Sequence, residues 1–211
     1  MNLLVVGSTG PLGREFVRQA LSAGHIVRAF ARDPSAMQPE PRLEVVKGDV
    51  FDQPSLDAAA PGQQAAVCMV GVPFPATRLP TNVFSLGTQN VIAALKAAIV
   101  RRLIVVSSFG VGESRRDAEW LYRVFFALAL RGAYADKLLQ EQAVRESGLD
   151  YTIVRPTRMT MGAGTGRYAE RLGPGPILSP IARADVARFL LHALEAREYV
   201  GKTVSLGRAT G

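Results

Sequence analysis

The sequence predicts an α/β protein whose core is a doubly wound, mostly parallel sheet of six to eight strands. Two observations support this fold class. Short apolar runs alternate along the chain with segments of helical periodicity, which is the pattern of strands joined by crossover helices. The first apolar run, at residues 3–6, ends in the glycine-rich stretch GSTGPLG, and an apolar stripe at helical spacing follows it.

Apolar runs, helical periodicity and turn residues predict the strands and helices along the chain. After the strand at 3–6, Pro11 suits the first turn of a helix and Gly24 is placed to end it. Apolar runs then predict strands at 26–31, 43–46, 65–70, 103–106 and 151–154, with a short strand at 203–206. Periodicity predicts helices at 83–98, 135–146 and 185–196. No repeat or linker divides the chain, so we expect one domain over 1–211.

Residues 157–180 depart from this alternation. They include five glycines and three prolines and show almost no periodicity, which is unusual for a connection in a compact domain. We expect this segment to be a substrate loop or lid within a small C-terminal substrate-binding region. A surface loop without a role is the alternative.

Composition and charge narrow the classes of partner. The chain is 48% hydrophobic and 20% charged, as in ordinary soluble globular proteins, and its net charge of +7 favours anionic ligands. The basic residues are scattered, without interleaved aromatic residues to stack bases, and the most apolar segment, 120–130, is too short to span a membrane. We therefore expect a small-molecule substrate, no nucleic acid, no membrane, and a monomer or homodimer.

Cysteine and histidine content argues against disulfides and metals. Cys68 is the single cysteine and lies in an apolar run, so a core position and a reducing cytoplasm fit it. His25 and His192 have no second ligand at metal-binding spacing. The Gly-x-Ser-x-Gly elbow of many serine hydrolases does not occur in the sequence.

The glycine turn after the first strand is the strongest functional signal. Gly7 permits a tight turn, Gly10 lets the backbone approach a pyrophosphate, and Gly13 lets the helix pack close to the strand. Free amides and the dipole at the helix N-terminus can then receive the phosphates. A buried strand before the motif and an amphipathic helix after it complete the context that dinucleotide binding requires.

The end of the second strand distinguishes between the two nicotinamide dinucleotides. An acidic residue there bonds the ribose hydroxyls of NAD, whereas an arginine pairs with the 2′-phosphate of NADP. Arg32 occupies this place and favours NADP over NAD. The adjacent Asp33 is the argument for NAD, but Asp33 followed by Pro34 more naturally starts a turn. A solvated Arg32 with only a structural role is the alternative.

Residues after the third and fourth strands are expected to join this site, because ligands bind beyond the carboxyl ends of parallel strands. Asp49 and Val50 can meet the adenine, unless they only form a turn at the end of the strand. Gly71 allows a close backbone approach to a ligand, and Val72 can touch the ribose or nicotinamide side.

Hydroxyl and amino groups are predicted near the reacting atoms. Ser107 and Ser108 follow the fifth strand and can hydrogen-bond the nicotinamide or a substrate carbonyl, unless one only ends the strand. Tyr134 and Lys137 lie three residues apart on one helix face, so they can bind ribose and assist proton transfer. Lys137 also lies four residues before Glu141, and an ordinary surface ion pair is the alternative.

These motifs together resemble one known family over nearly the whole chain. It is the atypical short-chain dehydrogenase/reductases, and within them the flavin reductase/biliverdin reductase B-like group, with NmrA-like relatives. The resemblance rests on GSTGPLG, ARDP, GDV, the serines after LIVV, RESGLDYTIVRPT and RADVARFLLHALEAREYVGKTV.

The resemblance implies a Rossmann fold and bound NADPH. The cofactor-binding residues that it implies, together with those argued above, are Gly7, Thr9, Gly10, Pro11, Leu12, Gly13, Arg32, Asp49, Val50, Gly71, Val72, Ser107, Pro156 and Thr157. The nicotinamide is expected near the serines and Pro156. Hydride then passes from C4 of the nicotinamide to a planar conjugated acceptor, such as a flavin, quinone or tetrapyrrole, while the protein supplies orientation and a dry pocket.

Two departures from the family pattern bear on the chemistry, for which we expect Ser108, Tyr134, Lys137 and Arg158 as catalytic residues. Short-chain dehydrogenases usually place a tyrosine four residues before the lysine, where this chain has Ala133, so the usual alcohol/ketone proton donor is out of register. Arg158 stands where biliverdin-reducing relatives tend to have histidine, and it can attract an acidic or phenolate substrate.

Three functions follow from the resemblance. An NADPH-dependent reductase of an aromatic acceptor agrees with most of the motifs. A regulatory protein of the NmrA-like kind, which senses NADPH without turnover, is the alternative, and the apolar stretch 120–130 would then be a partner surface. An epimerase or dehydratase needs a tyrosine in register and fits least.

Overall fold

The computed structural model describes residues 1–73, 76–115, 130–173, 175 and 179–208. Its main sheet consists of β1 (Asn2–Val6), β2 (Ile26–Ala31), β3 (Leu43–Lys47), β4 (Ala65–Cys68), β5 (Arg102–Val106), β6 (Asp150–Pro156), β8 (Tyr168–Arg171) and β10 (Lys202–Arg208). Their order across the sheet is β3-β2-β1-β4-β5-β6-β10-β8. The short strands β7 (Met159–Thr160) and β9 (Ile181–Ala182) form a separate pair.

All neighbouring strands of the main sheet are parallel except β8, which runs antiparallel to β10. The register aligns the strand ends, since Val6 of β1 lies beside Phe30 of β2 and Cys68 of β4. The carboxyl ends of the parallel strands therefore meet at one edge, which is where an open α/β sheet binds its ligands.

Helices cover both faces of the sheet. α1 (Pro11–Ser22) and α5 (Arg183–Glu195) pack on one face, and α2 (Gln53–Ala59), α3 (Ser85–Ala97) and α4 (Arg131–Glu146) lie on the other. Successive side chains of β1 divide between the two cores, Leu3 and Val5 to one and Leu4 and Val6 to the other. This arrangement confirms the doubly wound α/β fold.

The structure adds strands to the segment 157–180, which the sequence predicts as a substrate loop or lid. Far from being only a connection, the described part of this segment contains β7 and β8, and Ile181 of β9 just beyond it pairs with Met159. Strands of two and four residues are too short to show periodicity, and β8 owes its place to pairing with β10, which no local pattern reveals. The predicted helix at 135–146 also begins earlier, at Arg131.

A buried ion network fixes α4 to β6. Arg155 of β6 is 2% exposed, and its Nε and one terminal nitrogen contact the carboxylate of Glu141 at 2.8 and 2.5 Å. Its guanidinium also contacts Glu113 at 2.9 Å, while Arg145 binds Glu141 from outside at 2.9 Å. Burial alone would lower the pKa of Arg155, but the hydrogen bonds with Glu141 and Glu113 outweigh it and raise that pKa.

We expect Glu141→Gln to lower the free energy of unfolding by about 3 kcal/mol, because it leaves a buried guanidinium without its buried counter-charge. The matched change Glu113→Gln removes a partner whose side chain is 62% exposed, so it should cost no more than about 1 kcal/mol. Urea unfolding of both variants at neutral pH measures the difference. Equal losses in the two variants would contradict this account of the network.

Candidate functional site

A cleft of about 820 Å³ opens at the carboxyl edge of the sheet. Every residue that the sequence predicts for the site lines this cleft: Gly7, Thr9, Gly10, Pro11, Leu12, Gly13, Arg32, Asp49, Val50, Gly71, Val72, Ser107, Ser108, Tyr134, Lys137, Pro156, Thr157 and Arg158. The expected convergence of the strand ends is therefore present, and the role of each residue can be considered from its contacts.

The glycine turn joins β1 to α1 by backbone contacts that side chains would prevent. Gly7 has a φ of 83°, and a Cβ on it would lie 2.5 Å from the carbonyl oxygen of Met69. A Cβ on Gly13 would lie 2.2 Å from the carbonyl oxygen of Gly7. No side chain of the described residues caps α1, and its first turn has no acidic residue. The N-terminal end of α1 thus faces the cleft as a cradle suited to phosphate oxygens.

Arg32 and Asp33 differ in their contacts at the end of β2. Asp33 accepts hydrogen bonds from the backbone nitrogen and hydroxyl of Ser35 at 3.0 and 2.7 Å, and these bonds lower the pKa of Asp33. The turn predicted at Asp33 and Pro34 is confirmed as a short 3-10 helix. Arg32 is exposed at the cleft, and its side chain makes no hydrogen bond or ion pair with any described residue.

The turn after β3 lines another part of the cleft. Asp49 accepts a hydrogen bond from the backbone nitrogen of Phe51 at 2.9 Å, so it does form a turn as well as line the cleft. Asn90 of α3 donates to the carbonyl oxygen of Val50 at 2.8 Å and holds this turn in place. Phe51, which the sequence analysis missed, is 47% exposed and offers an apolar face beside Val50.

Ser107 carries an orphaned polar atom in the cleft. Its backbone nitrogen donates to the carbonyl oxygen of Val154 at 2.7 Å, whereas its hydroxyl oxygen is buried and has no hydrogen-bond partner among the described residues. Buried hydroxyls nearly always find a partner. A ligand group in the cleft would supply one, so the donor set fits a nicotinamide amide or a similar polar group at this place.

Tyr134 and Lys137 lie on α4 and reach the end of β5. The Tyr134 hydroxyl donates to the carbonyl oxygen of Phe109 at 2.7 Å, and burial raises its pKa. Lys137 is 7% exposed, its Nζ lies 3.3 Å from the carbonyl oxygen of Val106, and burial lowers its pKa to about 8. Its Nζ also lies 4.2 Å from the ring centroid of Phe84, a cation–π contact.

The alternative of a surface ion pair between Lys137 and Glu141 is wrong. Both residues are buried, and the Glu141 carboxylate is bound by Arg155 and Arg145. Lys137 therefore remains a buried cation at the cleft, with no carboxylate of the described residues within 4.0 Å of its Nζ.

Some cleft residues were not named individually in the sequence analysis, although Met159 and Pro180 fall within the segment 157–180 that it expects to form a substrate loop. Arg183, Met159 and Pro180 line the cleft because β7 and β9 pair, and these two strands were not predicted. Phe84 and Phe109 could have been suspected, since Phe109 closely follows a predicted strand. The described residues contain no group of three or more His, Cys, Asp or Glu able to hold a metal.

Two further expectations concern the surface of the chain. In the described parts, no helix is long and apolar enough to cross a membrane. The apolar stretch 120–130 lies outside the described residues except for Leu130, which lines the cleft.

The profile of a family described as NAD(P)H-binding matches residues 7–197, from the first glycine of the turn to just beyond α5. This chain belongs to that NAD(P)H-binding family. The membership agrees with the resemblance drawn from the sequence motifs and with the cradle at the N-terminus of α1.

Several relatives match nearly the whole chain. An uncharacterized chloroplastic protein of Arabidopsis thaliana is 30% identical over 215 residues, covering 97% of this chain and 75% of the relative. The (4-alkanoyl-5-oxo-2,5-dihydrofuran-3-yl)methyl phosphate reductase of Streptomyces griseus is 36% identical over 210 residues, covering 99% of this chain and 64% of the relative. The chain spans only 27% of a longer relative, protein TIC 62 of Arabidopsis thaliana.

Solved structures agree with the fold. ChuY, an anaerobilin reductase of Escherichia coli O157:H7, aligns with a TM-score of 0.82 at 25% identity over 100% of this chain and 98% of ChuY. A short-chain dehydrogenase/reductase of Veillonella parvula, solved in complex with NADP, aligns at 0.84 with 16% identity, over 98% of this chain and 94% of that one. At that identity the second likeness concerns the fold alone. Members of this NAD(P)H-binding family and its structural neighbours thus include reductases.

We expect Gly10→Ala to raise the dissociation constant for NADPH at least roughly tenfold while leaving the melting temperature unchanged. A Cβ on Gly10 would lie 3.5 Å from the nearest atom of the protein, so the fold accepts it, but it would project where the phosphates approach. Gly13→Ala is the matched control, because its Cβ meets backbone and should destabilise the fold itself by about 2 kcal/mol. Full NADPH affinity in Gly10→Ala would contradict the cradle.

Proposed function

We propose that this protein is an NADPH-dependent oxidoreductase that reduces a planar conjugated acceptor, such as a flavin, a quinone or a related aromatic or ketone compound. The observation that supports it most is one continuous cleft, which runs from Arg32 past the glycine turn to Ser107 and then on to a further wall. We call that further wall the acceptor end, and it is lined by Phe109, Thr157, Arg158, Met159, Pro180 and Arg183.

The cleft residues divide into groups for the parts of NADPH. The amides from Gly7 to Gly13 would hold the pyrophosphate, Arg32 the 2′-phosphate, and Asp49 with Val50 the adenine. Residues near the reacting end are Gly71, Val72, Ser107, Pro156 and Thr157, with the orphaned hydroxyl of Ser107 as a donor for the nicotinamide amide. When bound, the dinucleotide supplies hydride from its nicotinamide ring.

The protein's own contribution is orientation, charge and exclusion of water. Lys137 places a buried positive charge near the end of β5, where it can hydrogen-bond a ribose or acceptor oxygen through its remaining protons. Ser108 is half-buried in the cleft and can donate to an acceptor carbonyl. With a pKa near 8, the Lys137 ammonium is also a source of a proton at neutral pH.

Tyr134 fits a positioning role better than the expected proton transfer. Its hydroxyl proton is committed to the Phe109 carbonyl, and its raised pKa opposes release of that proton. The hydrogen bond instead ties α4 to the turn after β5, which carries Ser108. This commitment also supports the second candidate, an NADPH sensor without turnover, because Tyr134 then does not replace the tyrosine proton donor that the family usually has at the position of Ala133.

We further propose that the protein works as a monomer or homodimer in the cytoplasm. The single cysteine, Cys68, is fully buried at the end of β4, which suits a reducing compartment. Residues from Thr157 to Met159 line the acceptor end, so we propose that the segment 157–180 contributes to substrate binding.

Turnover with an acceptor panel separates the two candidate functions. Purified protein mixed with NADPH and a panel of flavins, quinones and dyes is expected to oxidise NADPH only when an acceptor is present, as followed by loss of the reduced-nicotinamide absorbance. Heat-inactivated protein is the control. Tight NADPH binding by fluorescence without turnover of any acceptor would favour the sensor and refute the reductase.

Replacing Arg32 should remove the preference for NADPH. We expect Arg32→Gln to raise the dissociation constant for NADPH roughly tenfold or more, the value of losing charged hydrogen bonds to a phosphate, and to leave that for NADH unchanged. Arg197→Gln, a change of the same charge at an exposed site outside the cleft, is the control. An equal effect on both dinucleotides would refute the role given to Arg32.

A further inference from the structure

We propose that the acceptor carries an anionic group, a carboxylate, sulfonate or phosphate, and that Arg158 and Arg183 bind it at the acceptor end of the cleft. The proposal rests on the reductase function proposed above and adds the class of its substrate. Arg183 is the new residue, and the pairing of β7 with β9 brings it into the same wall as Arg158.

The two arginines are held on adjacent segments. Met159 pairs with Ile181, and the backbone nitrogen of Ile181 donates to the carbonyl oxygen of Arg158 at 3.1 Å. Arg183 begins α5 two residues later, and no side chain caps that helix. Arg158 and Arg183 therefore lie on adjacent segments at the same cleft, and the N-terminal end of α5, which favours anions, begins at Arg183.

Neither arginine has an acidic partner among the described residues. The Arg158 side chain is exposed and makes no hydrogen bond or ion pair there, and the partner of Arg183 is the sulfur of Met161. Two guanidinium groups without a carboxylate partner among the described residues attract an anion to the wall of the cleft. Their planar forks match the geometry of carboxylate and phosphate oxygens.

The nearby carboxylates are engaged elsewhere. Asp185, two residues after Arg183, accepts hydrogen bonds from the backbone nitrogens of Thr165 and Gly166 at 3.0 and 2.8 Å. Glu15, which borders a small cavity together with Arg183, binds Arg18 at 2.6 Å. Asp185 and Glu15 thus have other partners, and the positive charge of Arg183 is left for the cleft.

Charge is distributed unevenly along the cleft. Among the described residues, its single acidic lining residue is Asp49, at the side proposed for the adenine, whereas its basic lining residues are Arg32, Lys137, Arg158 and Arg183. Arg32 is assigned above to the 2′-phosphate. In the part of the chain that the structure describes, the charged lining residues at the acceptor end are therefore cations, set among Phe109, Met159 and Pro180. This suits a molecule with an apolar body and one anionic substituent.

The experiment compares acceptors that differ only in charge. The probes are FMN against riboflavin and a naphthoquinone sulfonate against the parent naphthoquinone, with kcat/KM measured at saturating NADPH and flavin binding measured by fluorescence quenching at saturating NADP⁺. We expect the anionic member of each pair to be favoured roughly ten- to a hundredfold at low salt, and the preference to shrink as ionic strength rises.

The variants assign the preference to the two arginines. In the double variant Arg158→Gln/Arg183→Gln, the preference should disappear while the KM for NADPH stays unchanged, and Arg197→Gln should keep the preference. A weakened affinity for NADPH with the preference intact would overturn the proposal and assign these arginines to the dinucleotide.

The remaining outcomes are also decisive. Equal treatment of both members of each pair, including failure to bind either one, overturns the anion site. If no acceptor is reduced but FMN still binds more tightly than riboflavin through the two arginines, the anion site stands and the reductase function fails.

Discussion

The placement of the site depends on the backbone contact between Gly7 and Gly13. Because a Cβ on Gly13 would lie 2.2 Å from the Gly7 carbonyl oxygen, α1 can begin where it does only if this residue has no side chain. Gly7 in turn contacts the backbone of Met69 after β4, so the turn is wedged between β1 and β4. That point is where the strand order reverses, and the cleft opens there because helices leave the sheet toward opposite faces.

The buried face of α4 is polar, and its side chains fix the position of this helix against its neighbours. Asp136 accepts hydrogen bonds from the first backbone nitrogens of α3, Lys137 bonds Val106 at the end of β5, and Glu141 neutralises Arg155 of β6. One helix therefore fixes three neighbouring elements through charged groups rather than through an apolar stripe. The same contacts hold Lys137 beside the cleft, so stability and site geometry depend on the same side chains.

Features governed by local rules could be predicted from the sequence, and features governed by distant partners could not. The strand ends, the glycine turn and the Asp33 turn each follow from backbone conformation or apolar runs, and they placed the cleft correctly. Lys137 and Glu141 were misjudged as a possible surface pair because helical spacing cannot reveal that Arg155, from another element, competes for the carboxylate. Arg183 was missed because its position depends on a two-residue strand pairing.

The chain has a net charge of +7, and part of its excess of basic side chains lies at the cleft. Asp33 is bound by its own turn and Asp185 by loop amides, so these two carboxylates fix the backbone beside Arg32 and Arg183. Arg32, at one end, and Arg158 and Arg183, at the other, are left without acidic partners among the described residues. Positive charges at both ends of the cleft would hold the proposed dinucleotide and the proposed anionic acceptor in one line. Their uncharged reacting rings would then meet in the middle of the cleft.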